Sequence, residues 1–405
     1  MKSDNSNILT INGGSSSIKF ALFNMDENPK KLFSGQIKRI GLDGPEFTIT
    51  NNFSHEKNEI IIDATNFKEA AEVLIEWILK QKYFEQVSCI GHRIVHGMDH
   101  AHPEIIDDNL LKELNRISEY DPDHLPAEIE IIQLLKKKFP TLLQVACFDT
   151  SFHSTMPNVA KMLPVPRRFD RAGIRRYGFH GLSYTYLLEV LGNIEGADKS
   201  NGRIIVAHLG NGASLAAIKD RKSMDTTMGF TPAGGLVMGT RPGDLDPGVA
   251  WYMMQSEQLT AKQFNHLINH ESGLLGISEI SSDMEDLLQK ESSDVRAAEA
   301  VTLFCYELKK SIGAFAAVLN GLDSLVFSGG IGENSAKIRS RICKEFDYLN
   351  IEIDEEENKK NETVISTGNS KVKVYVIPAD EEIIIAKSTR ELYLKTQNKK
   401  DIQNN

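Results

Sequence analysis

The chain has 405 residues, 41% hydrophobic and 25% charged, with a formal net charge of −10. That length supports two or three domains with a substantial core. The negative balance opposes nonspecific binding to nucleic acid or to an anionic membrane, so neither partner is expected, and an anionic substrate must be drawn by local arginines. In chain order, the polar start Met1–Asn7 is unlike a signal peptide, and no apolar run approaches the roughly 20 residues that span a bilayer. Ile8–Ile11, Asn12–Ser17 and Ile18–Phe23 read as strand, tight Gly/Ser turn, strand. The turn offers backbone N–H groups, three hydroxyls and Lys19 to an anion. It is not a Walker A loop, because Lys19 lies inside a strand pattern.

Phe67–Lys80 is an amphipathic helix with Ala70, Ala71, Leu74, Ile75 and Ile78 on one stripe. Val87–Val95 reads as a buried strand that delivers His92, Arg93 and His96 at its C-terminal end. Helices follow at Leu110–Tyr120 and Pro126–Phe139, with Asp121–Leu125 between them. The apolar strand Leu142–Phe148 ends in Asp149-Thr150-Ser151-Phe152-His153. Asn193–Asn201 is a surface loop. Asp294–Asn320 is one long helix. Ser324–Phe327, Ser328–Asn334 and Ser335–Phe346 read as strand, glycine turn and helix, with a helix N-terminus aimed at a ligand. The dinucleotide fingerprint is incomplete there, so a mononucleotide is the open reading. Val372–Ile377 is a strand. Pro378–Glu382 then caps a final helix that runs to about Lys395, and the polar tail 396–405 is expected to be disordered.

Two stretches repeat one pattern. Ile8–Leu22 and Ile204–Ile218 both read strand, Gly-rich turn, strand, with Gly14 and Gly210 in corresponding places. Together with the alternating strands and helices, this predicts an α/β chain of two domains with a duplicated core, each presenting a phosphate hairpin to a shared cleft. His208–Gly248 is the densest stretch. Its glycines suit close approach to an anion, Arg241 can clamp phosphate, and Asp244 and Asp246 suit cation or proton handling but are expected to shape the loop around Arg241 by local hydrogen bonds. His92, His96, His100 and His102 cluster without the spacing of a zinc site. The four cysteines, Cys89, Cys147, Cys305 and Cys343, are far apart with no C-x-x-C, and read as buried thiols of a cytoplasmic protein.

Eight motifs, in order, then resemble the acetate kinase family. They are Asn12–Lys19, Gly91–Gly97, Phe148–Pro157, Arg176–Gly181, His208–Ser214, Met228–Gly248, Gly329–Asn334 and Pro378–Ala386. The resemblance spans about Ile8–Leu394. It implies two ribonuclease-H-like domains flanking an ATP cleft: an actin-like domain at 1–149 to which 388–395 return, and a second at 150–387 that carries most of the nucleotide site. It implies reversible transfer of a phosphoryl group from ATP to acetate, giving ADP and acetyl phosphate, with Mg²⁺ (or Mn²⁺ as a substitute), in a homodimer. Residue by residue, it assigns catalysis to Asp149, His180, Arg241 and His124. It assigns the substrate carboxylate to Arg93 and the methyl pocket to Val95, Phe179 and Pro232. For Asp149 the family role is proton transfer, with positioning of an arginine or a water equally open.

The resemblance further assigns the nucleotide to Lys19, to His208, Leu209, Gly210, Asn211 and Gly212, to Asp283, Met284 and Glu285, and to Gly330, Ile331, Gly332, Glu333 and Asn334. It assigns the metal to Asn12 and Glu381, with Glu382 the alternative if the register slips by one. Acetate is already ionised near neutrality, so the acceptor needs neutralisation and aim rather than a strong base. Departures from the family pattern stand at Gly13, usually alanine, at Ala233-Gly234-Gly235, at Asp283-Met284-Glu285, and at Asp123, usually a leucine that walls the methyl pocket. Asp123 is expected to turn outward, capping the helix that begins near Pro126. A propionate or broad short-chain carboxylate kinase is the alternative. A nonenzymatic ATP-switched interaction protein is the rival of another class, and it would need no carboxylate-binding arginine.

Overall fold

The computed structural model describes residues 6–14, 17–41, 44–196 and 201–404. The chain forms two compact units, Met1–Ser151 with Asp380–Asn405, and Phe152–Ala379. The return to the first unit therefore starts at Asp380 rather than 388, which puts Glu381 in that unit.

The first unit is built on an eight-stranded sheet. Its strands are β1 (Asn7–Gly13), β2 (Ile18–Asn24), β3 (Lys31–Lys38), β4 (Glu46–Asn51), β5 (Lys57–Ile61), β6 (Val87–Ile94), β7 (Glu104–Ile105) and β8 (Leu143–Phe148). They lie in the order β5-β4-β3-β2-β1-β6-β8-β7. β1, β2 and β3 pair antiparallel, while β6 runs parallel to β1 and β8 parallel to β6.

The second unit repeats this plan. β9 (Arg203–Leu209), β10 (Ala213–Lys219), β11 (Lys222–Thr226), β12 (Ser324–Ser328) and β13 (Lys373–Val376) lie in the order β11-β10-β9-β12-β13. Again the first three are antiparallel, and β12 and β13 continue parallel to β9. β3-β2-β1-β6-β8 and β11-β10-β9-β12-β13 are thus the same five-strand unit used twice, as the paired hairpins predict. β4 and β5 extend the first copy at one edge, and β7 at the other.

Sequence chemistry explains the elements. Helix α1 (Phe67–Leu79) starts where the Asn66 side chain accepts the Glu69 N–H, and it buries Ala70, Ala71, Leu74, Ile75 and Ile78. These pack with Leu9, Ile11, Ile18 and Phe20 in one cluster, where each large side chain contributes roughly 1.5–3 kcal/mol. Helices α2 (Asp108–Ile117) and α3 (Leu125–Lys138) cover a second cluster with Ile94 and Phe148. In the second unit, α4 (Gly181–Glu195) buries Tyr184, Leu187, Leu188 and Leu191 against β9, β10 and β12. Of the loop expected at Asn193–Asn201, the first residues belong to α4, and 197–200 lie outside the described residues.

The last helix, α5 (Glu381–Asn404), packs on β6, β1 and β8. Gly91 on β6 makes that contact, since a side chain there would collide with Thr389 Oγ1 and Ile385 Cγ2. The helix does not stop near Lys395. The segment expected to be disordered continues it to Asn404, because residues 396–404 contain no glycine or proline and simply extend a helix already docked.

Candidate active site

In the first unit, two predicted acids, Asp149 and Glu381, act on Arg93 at the C-terminal end of β6. Arg93 Nη2 donates to Asp149 Oδ2 at 2.7 Å, and Asp149 is 0% exposed. Asp149 follows β8 directly, and its N–H donates to Ile94 O, so the strand ends place acid and base together. Burial alone would lower the Arg93 pKa, but Asp149, Glu381 and Glu128 hold it above the ordinary arginine range. Arg93 Nε is buried without a partner.

Asn12 Nδ2 donates to Glu381 Oε2 at 3.1 Å. Burial and then the Asp149 charge raise the Glu381 pKa, against the pull of Arg93 and Lys19. Lys31 pairs with Asp380 at 2.8 Å and lies 4.0 Å from Glu382. Glu382 is turned to a surface lysine, and Glu381 to Asn12. Lys19 is exposed on β2, opposite Asn12 across the hairpin. Ser15 and Ser16 of that turn lie outside the described residues.

An amide oxygen and a buried carboxylate repelled by its neighbour are donors that fit Mg²⁺. Among the described residues no group of three or more His, Cys, Asp or Glu is placed to hold a metal ion.

His124 is the N-cap position of α3, without a side-chain cap bond, and its Nδ1 pairs with Asp121 Oδ1 at 2.8 Å. The N-cap position thus falls to His124, one residue after Asp123. Asp123 is half-buried, and Leu125 packs into the helix cluster rather than lining an opening. Val95 is 2% exposed. His92 is bonded to Gln144 at 2.7 Å, and burial lowers its pKa to about 4. His100 meets Glu104 at 2.7 Å.

The second unit brings His180, His208 and Arg241 to the β9–β10 turn. His180, the left-handed residue that opens α4 at φ +60°, bonds Ser214 Oγ through Nδ1 at 2.8 Å. Ser214 also bonds the Tyr184 hydroxyl. His208 stacks on His180 at 4.3 Å and bonds Ser183 at 2.8 Å. Arg241 Nη1 donates to Pro232 O at 2.7 Å. A Cβ at Gly212 would stand 2.8 Å from Arg241 Nη2 and 3.5 Å from His180 Nε2. Glycine is what lets arginine, imidazole and turn backbone share that place. The two expected loop-shaping aspartates behave so: Asp244 accepts the Gly235 N–H, and Asp246 caps the helix Pro247–Ser256. Phe179 is 1% exposed.

Ser328–Asn334 is not an open turn. Gly329–Asn334 is itself a short helix after β12, lying beside the first hairpin turn of this unit, with Gly330 N 3.8 Å from a Cβ position at Gly210. Glu333 is not aimed at a ligand, because its Oε1 accepts the N–H of Gly329 at 2.8 Å and of Ala379 at 3.0 Å. Asn334 Nδ2 donates to Gly330 O. Leu209 and Met284 bury their side chains, Asp283 caps the following helix, and Glu285 is exposed.

Three residues were missed by sequence reasoning. Ser214 orients His180. Arg339 is 0% exposed and spreads five donor contacts over Gly332 O, Glu333 O, Asn358 O, Asn358 Oδ1 and Asn361 Oδ1. Glu128 lies behind Arg93. A serine inside a strand, an arginine inside a helix and a glutamate in a helix's first turn carry no local signal of such roles.

Known proteins similar to this chain match it over nearly its whole length. The Acetokinase family profile matches residues 7–387. An acetate kinase of Clostridium botulinum (strain Kyoto / Type A2) is 40% identical over 96% of this chain and 100% of its own length. One from Carboxydothermus hydrogenoformans is 42% identical over 95% and 98%. Among solved structures, Porphyromonas gingivalis acetate kinase superimposes with a TM-score of 0.84 at 37% identity, covering 96% of this chain and 99% of that one. A propionate kinase from Francisella tularensis gives 0.89 at 36% identity, covering 95% and 99%. The chain belongs to the acetokinase family, kinases that transfer a phosphoryl group to a carboxyl group.

Proposed function

We propose that the protein is an acetate kinase that transfers the γ-phosphoryl group of ATP reversibly to acetate, forming acetyl phosphate and ADP. The observation that carries this reading is the buried Arg93 guanidinium with its Nε left without a partner. A buried N–H in that state calls for an acceptor, and a small carboxylate supplies one with the complementary charge. Asp149 holds the guanidinium in place, and Val95 supplies an apolar neighbour for the methyl group. In the second unit, Arg241 neutralises charge on the transferring phosphoryl group and His180 donates to it, its ring set by Ser214. Phe179 and Pro232 are the further methyl-pocket residues, and His124, oriented by Asp121, the further histidine.

The nucleotide is assigned to Lys19, to the backbone of His208–Gly212, and to Asp283–Glu285 and Gly330–Asn334, with Met284, Leu209 and Glu333 contributing as framework. Asn12 and Glu381 would hold Mg²⁺ or Mn²⁺, which when bound offsets phosphate charge.

Hydroxamate trapping of acyl phosphate, with ATP, Mg²⁺ and acetate or propionate in parallel, tests the reading. Acetate is expected to give the higher kcat/KM, with measurable propionate activity. A propionate preference would favour the propionate reading, and no acyl phosphate from either would sink the kinase assignment.

A homodimer is the expected assembly. The helix Pro247–Ser256 buries none of its ten residues and exposes Val249, Trp251 and Tyr252, a second copy being the partner that covers them. Light scattering giving a monomer mass would refute this. Among the described residues no helix is long and apolar enough to cross a membrane. The four cysteines are free and buried, which supports a cytoplasmic location; cell fractionation tests it.

A further inference from the structure

Glu128 is a buried carboxyl group that the reaction described above does not use. It lies in the first turn of α3, the helix that begins after His124, and is 1% exposed. Its oxygens accept the Val95 N–H at 3.0 and 3.3 Å, and Oε1 stands 3.9 Å from Arg93 Nη1. Its Cγ is 3.7 Å from the place of a Cβ at Gly13. One side chain thereby ties α3 to the end of β6 and reaches the β1–β2 turn. A glutamate serving only as a helix cap would spend its oxygens on its own helix.

We propose that Glu128 is a positioning residue that sets the Val95 amide and the Arg93 guanidinium together, and that its charge state regulates how well Arg93 accepts a substrate carboxylate. This rests on Arg93 as the carboxylate site. Arg93 already bonds Asp149 at 2.7 Å. A second full negative charge beside it competes with any incoming anion for the same guanidinium.

The charged groups facing Glu128 are Arg93 on β6, Asp149 after β8 and Asp121 before α3. Asp121 bonds His124 through one oxygen and leaves Oδ2 buried without a partner. Burial first, with Asp121 and Asp149, pushes the Glu128 pKa up to about 8, against the lowering effect of Arg93 and the Val95 N–H. Below that pH the carboxyl is neutral. Its carbonyl oxygen still accepts the Val95 N–H, and Arg93 is available to substrate. Above it, the carboxylate competes.

The test measures acetate KM from pH 6.5 to 9.5 at saturating ATP, for wild type and Glu128→Gln. The amide keeps an acceptor for Val95 and carries no charge. If only the neutral form binds acetate well, wild-type KM rises about tenfold between pH 7 and pH 9. The Gln variant should show a flat profile and a similar KM at pH 7, with ATP KM unchanged in both.

Acyl phosphate formed with superimposable KM profiles in the two proteins would overturn the role of Glu128 alone. No acyl phosphate from wild type would overturn the acetate reading and this one with it. Should the Gln variant not fold, calorimetry on wild type decides. Acetate binding at pH 8.5, measured in buffers of different ionisation enthalpy, is expected to take up a proton, and binding without uptake refutes the proposal.

Discussion

Asp149→Asn separates the two roles open to this carboxylate. The variant keeps an oxygen for Arg93 Nη2, which now sits 2.7 Å from Asp149 Oδ2, but removes the charge. A hydrogen bond to a charged group contributes about 1.5–3 kcal/mol and a neutral one about 0.5–1.5, so about 1–2 kcal/mol of hold on the guanidinium is lost. At 1.4 kcal/mol per decade this corresponds to about 5- to 30-fold in acetate KM. Asp149 raises the pKa of both Glu128 and Glu381, so without it these acids ionise more readily, and an ionised Glu128 competes with acetate at Arg93, which places the effect in the upper half of that range. Turnover should also fall, because a loosened arginine aims the nucleophile less well. Steady-state kinetics with acetate varied at saturating ATP and Mg²⁺, beside a melting curve to confirm folding, provide the assay. An unchanged acetate KM in a folded variant that has lost turnover would refute positioning and favour proton transfer.

Arg241→Ala should lower kcat by at least ~10³-fold with little change in ATP KM, as removal of an arginine clamp on a phosphoryl group does; a variant retaining a tenth of wild-type turnover would exclude Arg241 from the transition state. Arg339→Met removes the donor from five acceptors, of which Asn361 Oδ1 belongs to an exposed residue, and should destabilise the protein by about 2–4 kcal/mol in urea unfolding. A loss under about 1 kcal/mol would show that the short helix Gly329–Asn334 is held by other contacts.

The sequence was most legible where one residue type has one use. Glycine turns after β-branched runs mark both hairpins, and the alternation of Ile18–Phe23 and the apolar run Ile204–Ala207 place β2 and β9 to within a residue or two. Arg93 and Asp149 were both readable as strand-end residues, but their pairing depends on β6 and β8 lying side by side in parallel, a long-range register that no local pattern carries. Glu128 was hidden for the same reason. In the chain it resembles an ordinary first-turn acid, and only the packing of α3 against β6 turns it toward Val95. Glu333 shows the converse. A residue in a recognisable glycine motif was assigned to a ligand, whereas its carboxylate closes the motif on itself. The tail was misread because composition alone ignores that a docked helix lowers the barrier to its own extension.

The first unit is assembled from two stretches that the ribosome delivers far apart. Its sheet is complete once Phe148 has emerged, yet α5, which lies over β6, arrives only after all of the second unit. Until then the face of Gly91 is bare. Cys89, which packs with Ala386, and Cys147, whose Sγ lies 4.0 Å from Ile385 O, have no cover. In the finished fold burial drives both thiols up to about 12 and keeps them inert. During synthesis they stay open to oxidants and alkylating reagents, so the burial of two cysteines reports the moment at which the polypeptide closes on its own beginning.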